Sequence, residues 1–187
     1  MGAGHHPNAL LLPVMAAIAT GAPWICAVLM GWTAWRQPSS RGYLLAVVAA
    51  CGIAALLAHM LAATLELPRP FMMGISPSYI PHGARGSLPS AHATALFTIA
   101  FACMLHAGLG RLGIALGLIA LANGLARIYV GVHFPLDIAA GLLLALVISL
   151  VLRALHAVCL RFLMPSIARR GPAARDQMAP TAGRPAH

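Results

Sequence analysis

Acidic residues are scarce in this sequence. Only 3 of its 187 residues are Asp or Glu, and charged residues of both signs make up 8% of the chain, whereas a soluble domain carries about a quarter. With a 60% share of hydrophobic residues, this deficit excludes a soluble core and indicates that most of the chain lies in lipid. Because carboxylates are the usual ligands of a catalytic Mg²⁺, we expect chemistry that uses neither a metal ion nor another cofactor.

Several other common patterns are missing too. The four cysteines stand far apart in apolar stretches without Cys-x-x-Cys or Cys/His ligand spacing, so we interpret them as small buried hydrophobes. We find no pattern of a removable signal peptide and expect the membrane helices to direct insertion.

The net charge of +9 does not predict a nucleic-acid partner. Many arginines lie near or beyond the last apolar run, where the positive-inside rule and anionic headgroups favour them: Arg153, Arg161, Arg169, Arg170, Arg175 and Arg184.

Long apolar runs predict an all-α fold, a polytopic bundle of five to six membrane helices. About 20 apolar residues cross the hydrocarbon core as a helix, and residues 42–65, 88–105, 112–132 and 134–152 meet this length. The run at 10–35 is long for one span and short for two. Because Pro23 disfavours helical geometry in the residue before it, we expect a short interfacial or re-entrant helix at 8–20, followed by a span.

We therefore divide the chain into a membrane-embedded domain at 1–164 and a disordered, basic cytoplasmic tail at 165–187, which is rich in Pro, Ala and Arg and lacks periodicity. Alternating crossings place the turns that carry Arg36, Arg41 and Arg111 on one side, the cytoplasm. The opposite, outer face receives the 66–89 loop and the 127–137 junction. Arg69, Arg85 and Arg127 lie there against the charge bias and need another explanation.

The first outer cluster is Leu-Pro-Arg-Pro-Phe at 67–71. Pro68 and Pro70 end the preceding helix and hold Arg69 in extended backbone. Taken alone, an arginine at a helix exit is more often a residue that snorkels to the interface.

The second cluster is Gly-Ser-Leu-Pro-Ser-Ala-His-Ala-Thr at 86–94. We place Pro89 in the first turn of the next helix, with Ser87 or Leu88 near its cap. A helix N-terminus offers free N–H groups to an anion; Ser90 adds a hydroxyl donor and His92 a titratable ring. The alternative is a capped helix start with a satisfied interfacial histidine.

The third cluster is ARIYVGVHFPLD at 126–137. Pro135 can begin the last helix, so His133 stands near its N-cap and Asp137 follows four residues later, within side-chain reach. A carboxylate bonded to one ring nitrogen fixes the tautomer and leaves the other as base or nucleophile. The alternative, a structural His–Asp pair that pins the helix start, leaves Arg127 unexplained.

Together the clusters predict a phosphoryl-transfer site on the outer face. Arginine forks and backbone N–H groups bind phosphate oxygens. Two histidines can divide covalent attack and proton transfer between them.

In this order, the clusters resemble the motifs of the type 2 phosphatidic acid phosphatase superfamily, which includes integral-membrane lipid phosphatases and vanadium haloperoxidases. The family pattern is Lys-x6-Arg-Pro, Pro-Ser-x-His and Ser-Arg-x5-His-x3-Asp. Here, within about residues 42–155, it takes the form Arg69-Pro70, Pro89-Ser90-Ala91-His92 and Ala126-Arg127-x5-His133-x3-Asp137.

The resemblance implies a role for each matching residue. His133 would be the nucleophile that forms a phosphohistidine, Asp137 would orient it, and His92 would protonate the leaving group and then activate water. The phosphoryl oxygens would be held by Arg69, Arg127, Ser90 and the backbone around Ala91 and His92.

Two positions depart from the family pattern. The family lysine falls at Ala62, and the serine before the third-motif arginine falls at Ala126. Losing the lysine removes one phosphate-binding charge, and Arg85 or His59 is the candidate to replace it.

The chain looks most like the bacterial undecaprenyl pyrophosphate phosphatases of this superfamily. That likeness implies a multi-pass protein of the bacterial inner membrane whose partners are the bilayer and a lipid phosphate substrate, with the active site facing the periplasm. Phosphatidylglycerophosphate, phosphatidic acid and lipid A 1-phosphate are alternative substrates. A catalytically degenerate membrane protein is the non-enzyme alternative, and a haloperoxidase is disfavoured by the lipid-spanning helices.

Overall fold

The computed structural model describes residues 7–163, which contain five α-helices and no β-strand. The helices are α1 (Leu11–Arg36), α2 (Arg41–Leu65), α3 (Ala91–Met104), α4 (Gly110–Tyr129) and α5 (Pro135–Val158), followed by a π-helical turn at Cys159–Leu163. All except α3 are long and apolar enough to cross a membrane. These features confirm the predicted all-α membrane bundle. The tail expected at 165–187 lies outside the described residues.

The N-terminal helix differs from the prediction. Residues Leu11–Arg36 form one continuous helix that passes through Pro23, so the short separate helix expected at 8–20 is wrong. Pro23 has no N–H and therefore leaves the carbonyl of Ala19, four residues earlier, without its helical donor. Asn123 Nδ2 lies 3.0 Å from that oxygen and Arg127 Nη1 lies 3.4 Å from it. Donors from α4 thus replace the missing bond, and the helix continues.

The central helix α3 is shorter than expected. At 1.5 Å per residue its 14 residues span about 21 Å, less than the hydrocarbon core of about 30 Å. Its first residue is Ala91, because Ser90 is the N-cap and accepts a hydrogen bond from Ala93 N. The expected placement of Pro89 in the first turn, with Ser87 or Leu88 at the cap, is therefore wrong. More than half of α3 is buried between α2 and α4.

Neighbouring helices run antiparallel, so the loops collect at two ends. We call the end that carries the 66–90 loop and the 130–134 junction the pocket end. The other, the turn end, carries residues 37–40 and 105–109. At the turn end Tyr43 Oη donates to Ala102 O at 2.8 Å and joins the start of α2 to the end of α3. The described residues 154–163 belong to a second compact unit.

Candidate active site

The 66–90 loop is fixed to the bundle by backbone hydrogen bonds. Glu66 adopts a left-handed conformation (φ 51°) that ends α2. Ser87 N donates to Leu67 O at 2.9 Å and closes the base of the loop, while Tyr79 N donates to Val130 O at 3.1 Å and joins it to the end of α4. The loop therefore lies directly over the starts of α3 and α5.

Arg69 lies near the start of this loop and is buried, with 8% of its surface exposed. Its Nε donates to Arg85 O at 2.9 Å and its Nη2 to Gly86 O at 2.9 Å. Its Nη1 donates to Val132 O at 3.0 Å, which ties the loop to the α4–α5 junction. Burial lowers the Arg69 pKa and the nearby Asp137 carboxylate opposes that shift. A buried guanidinium whose three nitrogens each donate to a backbone carbonyl is not a snorkelling side chain.

His133 and Asp137 form a buried pair at the start of α5. His133 Nδ1 lies 3.2 Å from Asp137 Oδ2, and the same oxygen accepts from Phe134 N at 2.7 Å and from the hydroxyl of Ser87. Because the carboxylate accepts from Nδ1–H, the lone pair falls on Nε2. Arg69 Nη1 lies beside the ring, 3.1 Å from Nε2 and 3.4 Å from Nδ1.

The His133 ring is held in its neutral form. Burial lowers its pKa to about 4, as do the charges of Arg127 and Arg69, while the hydrogen bond to Asp137 opposes the shift. A neutral imidazole at physiological pH keeps the Nε2 lone pair available for attack.

The second motif supplies the start of α3. Ser90 is wholly buried, its Oγ serves as the cap acceptor, and its N–H donates to Asp137 O at 3.0 Å, which joins the starts of α3 and α5. Thr94 N makes the first intrahelical bond, to Ser90 O. The N–H groups of Ala91 and His92 precede it and belong to the free first turn, and both residues line the cavity described below.

Arg127 lies inside the bundle, 2% exposed, on the last turn of α4. Its Nη1 reaches Ala19 O of α1. Within residues 7–163 its Nε and Nη2 have no hydrogen-bond partner. Asn123, one turn earlier, donates from Nδ2 to the carbonyls of Ile18 and Ala19 at 3.0 Å each. The guanidinium is thus anchored on one side and keeps two buried donors free.

A cavity of about 750 Å³ lies at the pocket end, and among the described residues Arg127, Ser90 and Asp137 do not line it. Arg69, His92 and His133 line it, as do Ala91, His59 and Arg85. The structure therefore brings the predicted His133, Asp137, His92, Arg69, Ala91 and Arg127 to one end of the bundle, with Ser90 and Asp137 packed behind the cavity wall.

The sequence did not predict the place of three residues in this site. His82 lines the cavity, and its ring stands edge-on to His133 with centroids 5.9 Å apart. Burial lowers its pKa to about 3, helped by the charges of Arg69 and Arg127, so it stays neutral. The other two are Ser87, on Asp137, and Asn123, beside Arg127. A polar residue four positions before Arg127 in an apolar helix was the available signal for Asn123.

The fold and the cavity define a class of protein: an integral-membrane helical bundle with a cavity at one end that is lined by arginine and histidine side chains. Residues 43–161 match the model of the PAP2 superfamily. The chain belongs to this superfamily, as its motifs indicated, and is a lipid phosphatase.

Curated relatives are bacterial. The undecaprenyl-diphosphatase BcrC of Bacillus subtilis is 31% identical over 151 residues, covering 79% of this chain and 76% of the relative. The putative undecaprenyl-diphosphatase YbjG of Escherichia coli is 30% identical over 115 residues, covering 60% of this chain and 57% of the relative.

Two crystal structures share the fold. A transmembrane PAP2-type phosphatidylglycerolphosphate phosphatase from Bacillus subtilis superposes with a TM-score of 0.63 at 23% identity, over 83% of this chain and 81% of that one. LpxE from Aquifex aeolicus superposes with a TM-score of 0.62 at 24% identity, over 79% and 87%.

Proposed function

We propose that this protein hydrolyses undecaprenyl pyrophosphate to undecaprenyl phosphate and phosphate, through a phosphohistidine and without a metal ion. The observation that carries the proposal is the contact of His133 Nε2 with Arg69 Nη1 at 3.1 Å in a cavity at the pocket end. A nucleophile and a cationic anion-binding group thus meet at one point. The diphosphatase relatives supply the substrate class.

In the first step, Nε2 of His133 attacks the terminal phosphorus, and the bond from that phosphorus to the bridging oxygen breaks. Burial and the charge of Arg127 lower the pKa of His92 to about 4 in the free protein, and the negative charge of the bound diphosphate opposes that shift, so that His92 takes up a proton with the substrate. His92 then donates this proton to the departing oxygen, which leaves as the lipid monophosphate. Asp137 accepts from Nδ1–H and stabilises the positive charge that develops on the ring.

In the second step, His92, now neutral, takes a proton from water. The resulting nucleophile attacks the phosphorus, the P–N bond breaks, and His133 returns to its neutral form with release of phosphate.

The phosphoryl oxygens need several donors, because charge spreads over them in the transition state. Arg69 is already beside the nucleophile, and the free Nε and Nη2 of Arg127 provide two further buried donors. The first-turn N–H groups of Ala91 and His92 add the helix N-terminus. Ser90 keeps its hydroxyl hydrogen to donate, because its cap bond uses the oxygen as acceptor.

The orientation we propose places the cavity on the periplasmic or outer side. Arg36, Arg41 and Arg111 lie at the turn end, in short connections where the positive-inside rule applies. The bilayer presents the lipid diphosphate headgroup at the pocket end.

The test is phosphate release by the purified protein in detergent with EDTA present, from undecaprenyl pyrophosphate, phosphatidylglycerophosphate, phosphatidic acid and lipid A. We expect the diphosphate to give the highest kcat/KM. His133→Ala should lose roughly 10⁴-fold or more and form no phosphoenzyme, whereas His92→Ala should accumulate one after acid-free quenching. The same assay on intact cells, with substrate added outside, tests the orientation.

If a monophosphate lipid gave the highest kcat/KM, that lipid would replace undecaprenyl pyrophosphate as the proposed substrate. A strict Mg²⁺ requirement, or a phosphoenzyme that persists in His133→Ala, would contradict the mechanism. If His133→Ala hydrolysed every lipid at the wild-type rate, a non-catalytic role would be left for the protein.

A further inference from the structure

The cavity extends beyond the nucleophile. Arg69 and His133, which are buried, line it together with His92, and the exposed His59 and Arg85 line it beside Ala62 of α2. One phosphoryl group at His133 occupies the buried donors only. The donors along α2 are left for another part of the substrate.

Arg85 is attached directly to the buried site through its backbone. Arg69 Nε donates to Arg85 O, and Arg69 Nη2 donates to Gly86 O, each at 2.9 Å. The Arg85 side chain therefore begins at the peptide that Arg69 holds. A cation on that side chain can serve a phosphate adjacent to the one held by Arg69.

Gly86 fixes the distance between this peptide and α2. A Cβ at Gly86 would stand 1.8 Å from Ala62 O, so the loop backbone lies against the helix at the position where the family motif has lysine. His59 is one turn earlier, on the same face of α2 as Ala62.

The partner of the Arg85 guanidinium is a histidine and not a carboxylate. Its Nη1 lies 3.2 Å from His59 Nε2, and both side chains are exposed. Within residues 7–163 the one ion pair is His133–Asp137, so Glu66, which also lines the cavity, does not pair with Arg85. A histidine acceptor aims the guanidinium without neutralising its charge, and the charge stays available to an anion.

We infer that Arg85, oriented by His59, forms a second phosphate subsite for the lipid-linked phosphate of a diphosphate substrate. The subsite rests on the proposed function and deepens it. It binds the phosphate that departs with the lipid, and so favours diphosphates over phosphate monoesters. Arg85 touches substrate, and His59 acts through Arg85 as a positioning residue.

The test compares a two-phosphate probe with a one-phosphate probe. Methylenediphosphonate, which the enzyme cannot cleave at its P–C–P bridge, and methylphosphonate are measured as inhibitors of the purified protein with whichever lipid it hydrolyses best. We expect Arg85→Gln to raise the inhibition constant of methylenediphosphonate about tenfold or more, the loss of one charge-assisted hydrogen bond, and that of methylphosphonate less than about twofold.

Companion variants separate the subsite from the fold. Arg85→Lys, which keeps the charge, should show a smaller loss, and His59→Ala an intermediate one with the same selectivity. Ala62→Lys in the Arg85→Gln background should restore binding of the diphosphonate. Arg111→Gln at the turn end is the matched control and should leave both constants unchanged.

Equal increases for the two probes would overturn the subsite, because Arg85 would then act only by supporting Arg69. No increase for either probe would overturn it as well. A wild-type enzyme that prefers monophosphate lipids, with diphosphonate binding still selectively lost in Arg85→Gln, would remove the proposed substrate and keep the subsite.

Discussion

The two ends of the bundle use arginine in opposite ways. At the pocket end, Arg69 and Arg127 are 8% and 2% exposed, and Arg69 contacts His133. At the turn end, Arg41 Nε donates to Ala34 O at 2.9 Å, Arg153 Nη1 donates to Leu105 O, and Arg36 lies 5.7 Å over the ring of Trp32. These three complete helix ends and anchor the interface.

The two ends differ in which groups lack a hydrogen-bond partner. At the turn end the arginines accompany helix C-terminal carbonyls, which need donors. At the pocket end the N-termini of α3 and α5 present donors, and Arg69 and Arg127 add positive charge at the same end, although Arg127 itself stands on the C-terminal turn of α4. Such an accumulation of charge is unfavourable by itself, and the phosphate that we propose as ligand would balance it.

Among the arginines of the two ends, the largest expected effect comes from Arg127→Gln. This change removes two buried donors, Nε and Nη2, that have no hydrogen-bond partner within residues 7–163 and that we propose bind a phosphoryl oxygen. We expect kcat to fall about 10²–10³-fold, as when a transition-state donor is lost, measured as phosphate release from the best lipid substrate.

Arg153→Gln is the matched control. Like Arg127, Arg153 stands on a membrane helix and donates from Nη1 to a carbonyl of another helix, yet it belongs to the turn end. Its activity should stay within about twofold of wild type. Equal losses at the two positions would mean that bridging the helices, and not phosphate binding, explains Arg127.

A smaller effect is expected from Ser87→Ala. The Ser87 hydroxyl donates to Asp137 Oδ2, the oxygen that receives His133 Nδ1, so its loss loosens the carboxylate that orients the nucleophile. We expect kcat to fall about 10–100-fold, with KM nearly unchanged because no substrate contact is removed.

Ser76→Ala provides the comparison for that variant. Ser76 is buried in the same loop, but its hydroxyl donates to Pro77 O at 3.2 Å and does not contact Asp137. If Ser76→Ala lowered kcat as much as Ser87→Ala does, loop packing would explain both losses. The same would follow if Ser87→Thr, which keeps the hydroxyl, were no more active than Ser87→Ala.

Local spacing predicted much of this architecture. Pro135 begins α5 as its fixed φ favours, and the four-residue separation brings His133 to Asp137. The long apolar runs located α2, α4 and α5 to within a few residues of their bounds, apart from the end of α5.

Contacts between distant segments could not be predicted from spacing. The bonds of Arg69 to Arg85 and Gly86 depend on how the 66–90 loop closes. The continuity of α1 depends on donors from α4, more than a hundred residues away. Pro23 alone indicated a break, because its local penalty is visible in the sequence and its tertiary compensation is not.

The smallest expected effect is that of Arg41→Gln. Its Nε bond to Ala34 O satisfies one carbonyl in the last turn of α1, and both groups lie in an exposed position. Water or a lipid headgroup can take over that carbonyl, so the free energy of unfolding should fall by at most about 1 kcal/mol, and kcat should not change. Thermal unfolding in detergent and phosphate release measure the two quantities. A loss of activity comparable to that of Arg127→Gln would break the distinction between the ends, because it would couple the turn end to the chemistry. An unchanged kcat with a slightly lower unfolding temperature would sharpen it, since the same side chain would then be structural at one end and functional at the other.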